Sequence, residues 1–182
     1  MRFETGGTSC HQPYAFLGGA IILKSHAGDI EIAVAHHFGY RVNIVVPNVH
    51  WGLGLRHEAD MIIVSSASYA TEIEIKVSRG DIKADLNKWK WKRTSKLIRR
   101  FFYAVPEALK DCEYLPADKG LIIMKEWNTN INPCEIIRPS AVNKGARKLR
   151  EDEIRKLLHL GCMRIWELKR RLYERQRKNG SQ

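Results

Sequence analysis

Acidic residues recur between apolar ones in two neighbouring stretches of the sequence. The stretches are Asp60–Val64 (DMIIV) and Tyr69–Val77 (YATEIEIKV), and the serine-rich segment Ser65–Ser68 joins them. The second stretch alternates clearly, and both compositions are typical of β-strands joined in a hairpin. We expect the apolar set to face the core, and its members are Met61, Ile63, Ile73, Ile75 and Val77.

A three-residue loop at Ser66–Ser68 would fix the register of this hairpin. Asp60 then falls opposite Glu74, on one sheet face shared with Glu58, Glu72 and Lys76. Opposed carboxylates destabilise a strand pair, but paired oxygen ligands suit Mg²⁺ or Mn²⁺, which takes one or two carboxylates with water and phosphate oxygens. An edge strand carrying charges that discourage aggregation remains the structural alternative.

This pattern resembles a known superfamily of nucleases. Asp60, separated by thirteen residues from Glu74-Ile75-Lys76, is similar to the motif of the PD-(D/E)XK nucleases. The run Glu72–Asp85 (EIEIKVSRGDIKAD) and the strand Phe101–Pro106 (FFYAVP) resemble more closely the MmcB-like DNA-repair branch, as does the Leu115-Pro116 pair followed by Gly120–Ile123. The resemblance spans roughly residues 29–138.

The resemblance implies a restriction-endonuclease-like fold, with a central mixed β-sheet flanked by helices, and metal-dependent hydrolysis of DNA phosphodiester bonds. Asp60 and Glu74 would bind the metal, the Ile75 carbonyl would complete its inner sphere, and Lys76 would position the attacking water. Glu31, on an early helix, is the candidate for a further catalytic carboxylate, although a first helical turn also favours an acid by itself. We expect Glu58 to pair with Lys76 and Glu72 to face solvent.

Positive charge is concentrated in two segments of this 182-residue chain, whose net charge is +11. Arg79–Arg100 carries a net charge of +7 and Lys144–Gln182 carries +8, so the remainder is mildly acidic. The layout suits a polyanion such as DNA, although basic residues also serve simply to solvate helix faces. The candidate nucleic-acid contacts, with tryptophans stacking on bases or packing under the helix, are Lys83, Lys88, Trp89, Lys90, Trp91, Lys92, Arg93, Arg147, Lys148, Arg170 and Arg171.

Periodicity and turn residues outline an α/β chain. We expect a nuclease-like core over residues 1–140, in which residues 1–27 are hard to interpret, and a basic helical extension over residues 141–182 that packs on the core. The elements expected are helices Asp29–Gly39, Asp81–Lys92 and Lys144–Arg177, the last with a possible break at Gly161, and strands Arg41–Pro47, Arg100–Val105 and Gly120–Met124 besides the hairpin.

Composition excludes several classes of protein. A hydrophobic fraction of 44% argues against a disordered chain, and no apolar run reaches the roughly 18 residues of a membrane span. Four scattered cysteines without a CxxC pair indicate neither a zinc site nor a disulfide framework, which favours the cytoplasm. Lys24 interrupts the early apolar stretch, so we expect no secretion signal.

These observations together predict a Mg²⁺- or Mn²⁺-dependent endodeoxyribonuclease acting in DNA repair, in recombination, or in phage or mobile-element DNA processing. Two alternatives stay open. One is a non-catalytic nucleic-acid-binding protein with a nuclease-like fold. The other is a resolvase of branched DNA, including four-way junctions, an activity that often requires a homodimer.

Overall fold

The computed structural model describes residues 26–55, 57–88, 95–125 and 133–179. In these residues, three α-helices accompany six strands. The helices are α1 (Ala27–His37), α2 (Arg79–Lys88) and α3 (Glu151–Asn179), and a 3₁₀ turn spans Glu107–Leu109. The strands are β1 (Ile44–Val49), β2 (Ala59–Val64), β3 (Ala70–Ile75), β4 (Ile98–Pro106), β5 (Gly120–Met124) and β6 (Cys134–Arg138).

The strands form a single mixed sheet in the order β1-β2-β3-β4-β5-β6. β1, β2 and β3 pair antiparallel, β3, β4 and β5 pair parallel, and β6 returns antiparallel to β5. A parallel pair needs a crossover connection, which here contains α2 between β3 and β4. The prediction of an α/β domain with a mixed sheet flanked by helices is therefore confirmed.

Helix α1 covers one face of the sheet. Its buried residues Ile30, Ala33 and Val34 pack on the apolar side chains that alternation assigns to this face. The helix stops before Gly39, whose φ of +66° suits a residue without a Cβ. As the sequence predicted, the core residues contributed by the hairpin include Met61, Ile63, Ile73 and, partly buried, Ile75. The prediction is wrong for Val77, which follows the end of β3 and is 38% exposed.

Two apolar clusters share the opposite face. Leu157 and Leu160 of α3 cover Ile62 and Val64, at the β1–β3 side of the sheet. Ile82 of α2 belongs to a second cluster, with residues of β4 and β5 that include Tyr103, Val105, Leu121 and Ile123. Asp60, Glu72 and Glu74 share this face with both clusters, because they alternate with the residues that α1 covers.

The C-terminal helix differs from the prediction. It begins at Glu151 rather than Lys144, because the preceding segment runs across the sheet end and Leu149 N–H donates to the Ser68 carbonyl at 2.8 Å. It continues without a break through Gly161. Met163 and Trp166, which the apolar periodicity suggests as core residues, are 48% and 68% exposed because the second half of α3 extends past the sheet.

Two other differences concern the strands. β1 begins at Ile44, since the residues after Gly39 form turns, and β6 was not predicted at all. None of the helices in the described part of the chain has the length and apolar character needed to cross a bilayer.

Candidate metal-binding and catalytic site

The hairpin of β2 and β3 has the register that the three-residue loop predicts. Ser65 N–H donates to the Tyr69 carbonyl at 3.0 Å, and Ile62 lies opposite Glu72. Ser68 closes the loop with a φ of +64°, the left-handed residue that such loops need. The recorded pairing ends where Met61 lies opposite Ile73, and the same register extended by one residue sets Asp60 opposite Glu74.

The backbone of β3 holds the Asp60 carboxylate in place. The Ile75 N–H donates to Asp60 Oδ2 at 2.7 Å, so this carboxylate lies against the peptide that joins Glu74 to Ile75. Hydrogen bonds from backbone amides to a carboxylate are short and strong. This bond from the β3 backbone helps to fix the Asp60 carboxylate beside Glu74.

The ammonium group of Lys76 lies between two buried carboxylates. Lys76 Nζ is 2.7 Å from Glu74 Oε1 and 3.6 Å from Asp85 Oδ1. Burial alone lowers the pKa of Lys76, but the hydrogen bond to Glu74 and the charges of Glu74, Asp85 and Asp60 outweigh it, so the pKa rises above its usual 10.5. The expected pair between Lys76 and Glu58 is wrong, because Glu58 is exposed and Lys76 turns toward Glu74 and Asp85.

Sequence reasoning missed two members of this site, Asp85 and Tyr103. Asp85 lies on the buried side of α2, and Tyr103 of β4 pairs with Glu74 across the parallel ladder. The Tyr103 hydroxyl donates to Asp85 Oδ2 at 2.8 Å, and burial, followed by this bond and the surrounding carboxylates, raises the pKa of Tyr103. Tyr103 therefore stays a neutral donor. The sequence did contain one signal for Asp85. It follows the apolar Ile82 by three residues, so both lie on one face of the helix, and burial of Ile82 also buries Asp85.

Glu31 approaches the site from α1. Its side chain is half-buried, and its pKa is raised first by burial and then by the negative charge of Asp60. Glu31 lies on the helix that covers the opposite face of the sheet, so the electrostatic effect of Asp60 on its pKa is what links it to the site.

Glu72 forms a second polar pair on the same strand. It is only 3% exposed, and its Oε1 is 2.5 Å from His57 Nε2. The expectation that Glu72 faces solvent is wrong, because β4 flanks β3 and places Phe101 beside Glu72. His57 lies in the connection between β1 and β2, two residues before β2 begins.

The oxygen donors of the site fit a hard divalent cation. Asp60 and Glu74 supply carboxylates from adjacent strands, the Ile75 carbonyl belongs to the same strand segment, and Mg²⁺ ordinarily takes only one or two carboxylates. One oxygen of each acid is engaged, by the Ile75 amide and by Lys76. Across the described residues, no three or more His, Cys, Asp or Glu side chains are grouped to hold a metal ion.

The basic residues proposed from the sequence lie in different surroundings. Trp89, Lys90, Trp91, Lys92 and Arg93 fall outside the described residues, and Lys88 ends α2. Lys83 is exposed on α2, with Nζ 5.6 Å from the centre of the Tyr114 ring.

Four further basic residues flank or belong to α3. Arg147 binds both carboxylate oxygens of Glu153, and Lys148 Nζ lies 5.8 Å from the Tyr69 ring centre. Arg170 and Arg171 both bind Glu167, and Arg170 also binds Glu174. All four side chains are exposed, but the three arginines already have carboxylate partners.

Comparison with known proteins supports the fold and says nothing further of the site. No protein-family model matches the chain, and no curated protein matches it. The chain is similar in structure to SPO1766, a protein of unknown function from Silicibacter pomeroyi, with a TM-score of 0.57 and 21% sequence identity. The likeness covers 85% of this chain and 96% of that one, so the architecture of nearly the whole domain recurs there.

Proposed function

We propose that this protein is a metal-dependent nuclease of the PD-(D/E)XK type, with a restriction-endonuclease-like fold, that hydrolyses DNA. The observation that carries the proposal is the arrangement of Asp60, Glu74 and Lys76. Adjacent strands place the two acids and the ammonium on one sheet face, in the gap between the α3 and α2 clusters. Burying charge in this way costs free energy that a purely structural hairpin would avoid.

Asp60 and Glu74 are the residues that would hold the cation, with the carbonyl of Ile75. When bound, a divalent cation supplies Lewis acidity, lowering the pKa of a water molecule and polarising a phosphate oxygen. The protein's own contribution is placement: the β3 backbone orients Asp60, and Lys76 orients Glu74. Glu31 adds negative charge at the edge of the site nearest Asp60.

Lys76 is suited to hold the attacking water and to offset negative charge that develops on the phosphate. Its raised pKa keeps it an ammonium at neutral pH, so it acts through charge and hydrogen bonds rather than as a general base. Asp85 is a positioning residue, because it contacts Lys76 while Tyr103 orients its other oxygen. Hydrolysis by this route needs no serine or cysteine nucleophile.

The charge distribution supports DNA as the substrate. A net charge of +11 favours a polyanion, and the excess lies in the two segments that follow the acidic hairpin in the sequence. Lys83 and Lys148 offer exposed ammonium groups on elements next to the sheet face that holds the carboxylates. Such contacts to phosphates bind without sequence preference.

The test is a plasmid-nicking assay with Mg²⁺, Mn²⁺ or EDTA. Asp60→Asn and Glu74→Gln keep the shape of each side chain, and each should reduce Mg²⁺-dependent cleavage by at least about 100-fold. Glu58→Gln is the matched control, since Glu58 is an exposed acid next to the same strand. If Asp60→Asn and Glu74→Gln both cut like the parent while remaining folded by circular dichroism, the proposal fails.

A second candidate is a non-catalytic nucleic-acid-binding protein with the same fold. It is favoured by the charge distribution, because a net charge of +11 suits DNA binding whether or not the bound DNA is cleaved. This candidate predicts salt-sensitive DNA binding in EDTA and no cleavage with any divalent metal. Parallel assays on linear, nicked, flapped and four-way DNA also test the branched-DNA resolvase, which would cut only the four-way substrate.

A further inference from the structure

A cleft of ≈ 210 Å³ opens beside the candidate active site. Glu72 and His57 line it, and Glu72 precedes Glu74 by two residues on the same face of β3. Two residues along a strand span about 7 Å. A ligand in the cleft therefore lies about one nucleotide from a phosphate placed at Asp60 and Glu74.

The walls of this cleft combine two kinds of chemistry. Arg99, Arg100 and Lys119 contribute cations, and Phe101 contributes an aromatic ring, with Val142 beside it. Asp118 also lines the cleft and pairs with Lys119 at 3.1 Å, so the net positive charge of the walls comes from Arg99 and Arg100. Arg100 is exposed and so belongs to the rim, whereas Glu72 is buried and forms the floor. The ligand must therefore be anionic at its outer end and apolar or hydrogen-bonding at its inner end.

Internal hydrogen bonds hold the walls in place. Asn143 Nδ2 donates to the carbonyls of Ser95 and Ile98, at 3.1 and 3.0 Å. Ser140 Oγ accepts from Phe101 N–H at 3.0 Å, and Arg100 Nη1 donates to the Ser140 carbonyl at 3.0 Å. A cleft fixed in this way is preformed, as small-ligand sites usually are.

We propose that the cleft binds one unpaired nucleotide of the DNA substrate. The rim cations would take its phosphate, since the Glu72 carboxylate repels an anion from the floor, and the base would enter against Phe101. Aromatic rings stack on any base, and the His57–Glu72 pair offers polar atoms to the base edge. The volume of ≈ 210 Å³ is below the roughly 300–1,000 Å³ of drug-sized sites, which suits a single base better than a base pair.

This inference rests on the proposed nuclease function, which it sharpens to DNA with frayed, overhanging or flapped strands. The test measures binding in EDTA by fluorescence anisotropy, so that cleavage does not interfere. Labelled hairpin duplexes with a three-nucleotide single-stranded overhang are compared with the same duplexes blunt-ended. We expect the parent protein to bind the overhang at least about tenfold more tightly, a factor within the stacking contribution of one base.

Two variants address the cleft itself. Phe101→Leu removes the ring, and Val142→Trp fills the cleft from a side chain that is already 37% exposed. Each should reduce the preference for the overhang to less than about twofold. The control Arg170→Ala, far along α3, should weaken binding of the overhanging and the blunt-ended duplex equally. Overhang preference retained in the folded Val142→Trp variant, or absent from the parent, overturns the inference.

Failure of the inference is distinguishable from failure of the proposed function. If the parent cleaves DNA in a Glu74-dependent manner but binds blunt and overhanging ends alike, the nucleotide cleft is wrong and the nuclease stands. If the parent prefers overhangs in EDTA but cleaves nothing with Mg²⁺ or Mn²⁺, the cleft stands and the nuclease is wrong.

Discussion

Two regions of this protein are rich in charged side chains, but one region buries them and the other exposes them. In the candidate site, Lys76 is held between Glu74 and Asp85, and the side chains of all three are at most 13% exposed. In the second half of α3, Arg170 and Arg171 bind Glu167 within one turn of a helix, and all three side chains are at least 37% exposed.

The difference shows where charge serves chemistry and where it serves solvation. Ion pairs on an exposed helix surface contribute little to stability and are screened by salt. Buried charges carry a desolvation cost, so a protein that keeps them must hold them by specific partners or use them. Charge density along the sequence does not separate these cases, but burial does.

The largest expected effect comes from removing the buried cation, Lys76, which tests whether the buried carboxylates depend on it. Lys76→Met leaves Glu74 and Asp85 close together without the ammonium between them, and we expect the free energy of unfolding to fall by about 3–5 kcal/mol at pH 7. Urea denaturation measures this without adding salt. The loss should shrink as the pH is lowered, because protonation of the carboxylates relieves their repulsion.

Lys83→Met is the matched control for that substitution. Lys83 is exposed on α2, close in sequence to Asp85, and its removal should leave the urea midpoint unchanged. If Lys76→Met is as stable as Lys83→Met, the site does not depend on a buried cation, and the contrast between the two regions disappears.

The hairpin register and the α/β architecture follow from the sequence because both have local causes. The spacing between Ser65 and Tyr69 fixes the pairing of β2 with β3, and alternation then assigns the faces. Strand β6 could not be found in this way. Its residues Cys134–Arg138 are mostly exposed and lack alternation in burial, so pairing with β5 rather than a hydrophobic pattern defines it.

The missed parts of the site depend on contacts between distant elements. Asp85 joins the site only because α2 packs against β4 and β5, and Tyr103 only because β4 lies parallel to β3. The burial of Glu72 has the same origin, since β4 covers a side chain that a hairpin alone would expose. Local pattern identifies which residues share a strand face, but not which of them a neighbouring strand buries.

Glu153 is intermediate between the two regions, since it lies on α3 but its side chain is only 7% exposed. It accepts hydrogen bonds from Arg147 and from the Arg150 N–H, and the Arg147 bond is the main cause that lowers its pKa from 4.5 to about 2. We expect Glu153→Gln to lower the free energy of unfolding by about 1.5–3 kcal/mol at pH 7.

The lowered pKa of Glu153 determines how its contribution to stability varies with pH. The folded pKa of Glu153 lies below the unfolded value, so its stabilisation is present above about pH 4.5 and is lost as the pH falls toward 2. The difference between parent and Glu153→Gln should therefore narrow over that range in thermal unfolding. Glu151→Gln, an exposed acid two residues away, should show no such difference; an equal effect at both positions would mean that burial is irrelevant here.

The smallest expected effect follows from breaking the exposed ion pairs of α3. It tests whether the arginines of these pairs bind DNA. Glu167→Gln frees Arg170 and Arg171 from a shared carboxylate, and should leave thermal stability unchanged because the group is exposed. If α3 contacts phosphates, the same change should tighten DNA binding in EDTA and steepen its salt dependence by about one to two contacts. Glu174→Gln removes one of the two carboxylates that bind Arg170 and leaves Arg171 bound to Glu167, so it should give the smaller steepening. An unchanged salt slope in both variants would mean that the positive charge of this helix half serves solvation and not DNA binding, and would leave the elements around the carboxylate site as the surface that holds the nucleic acid.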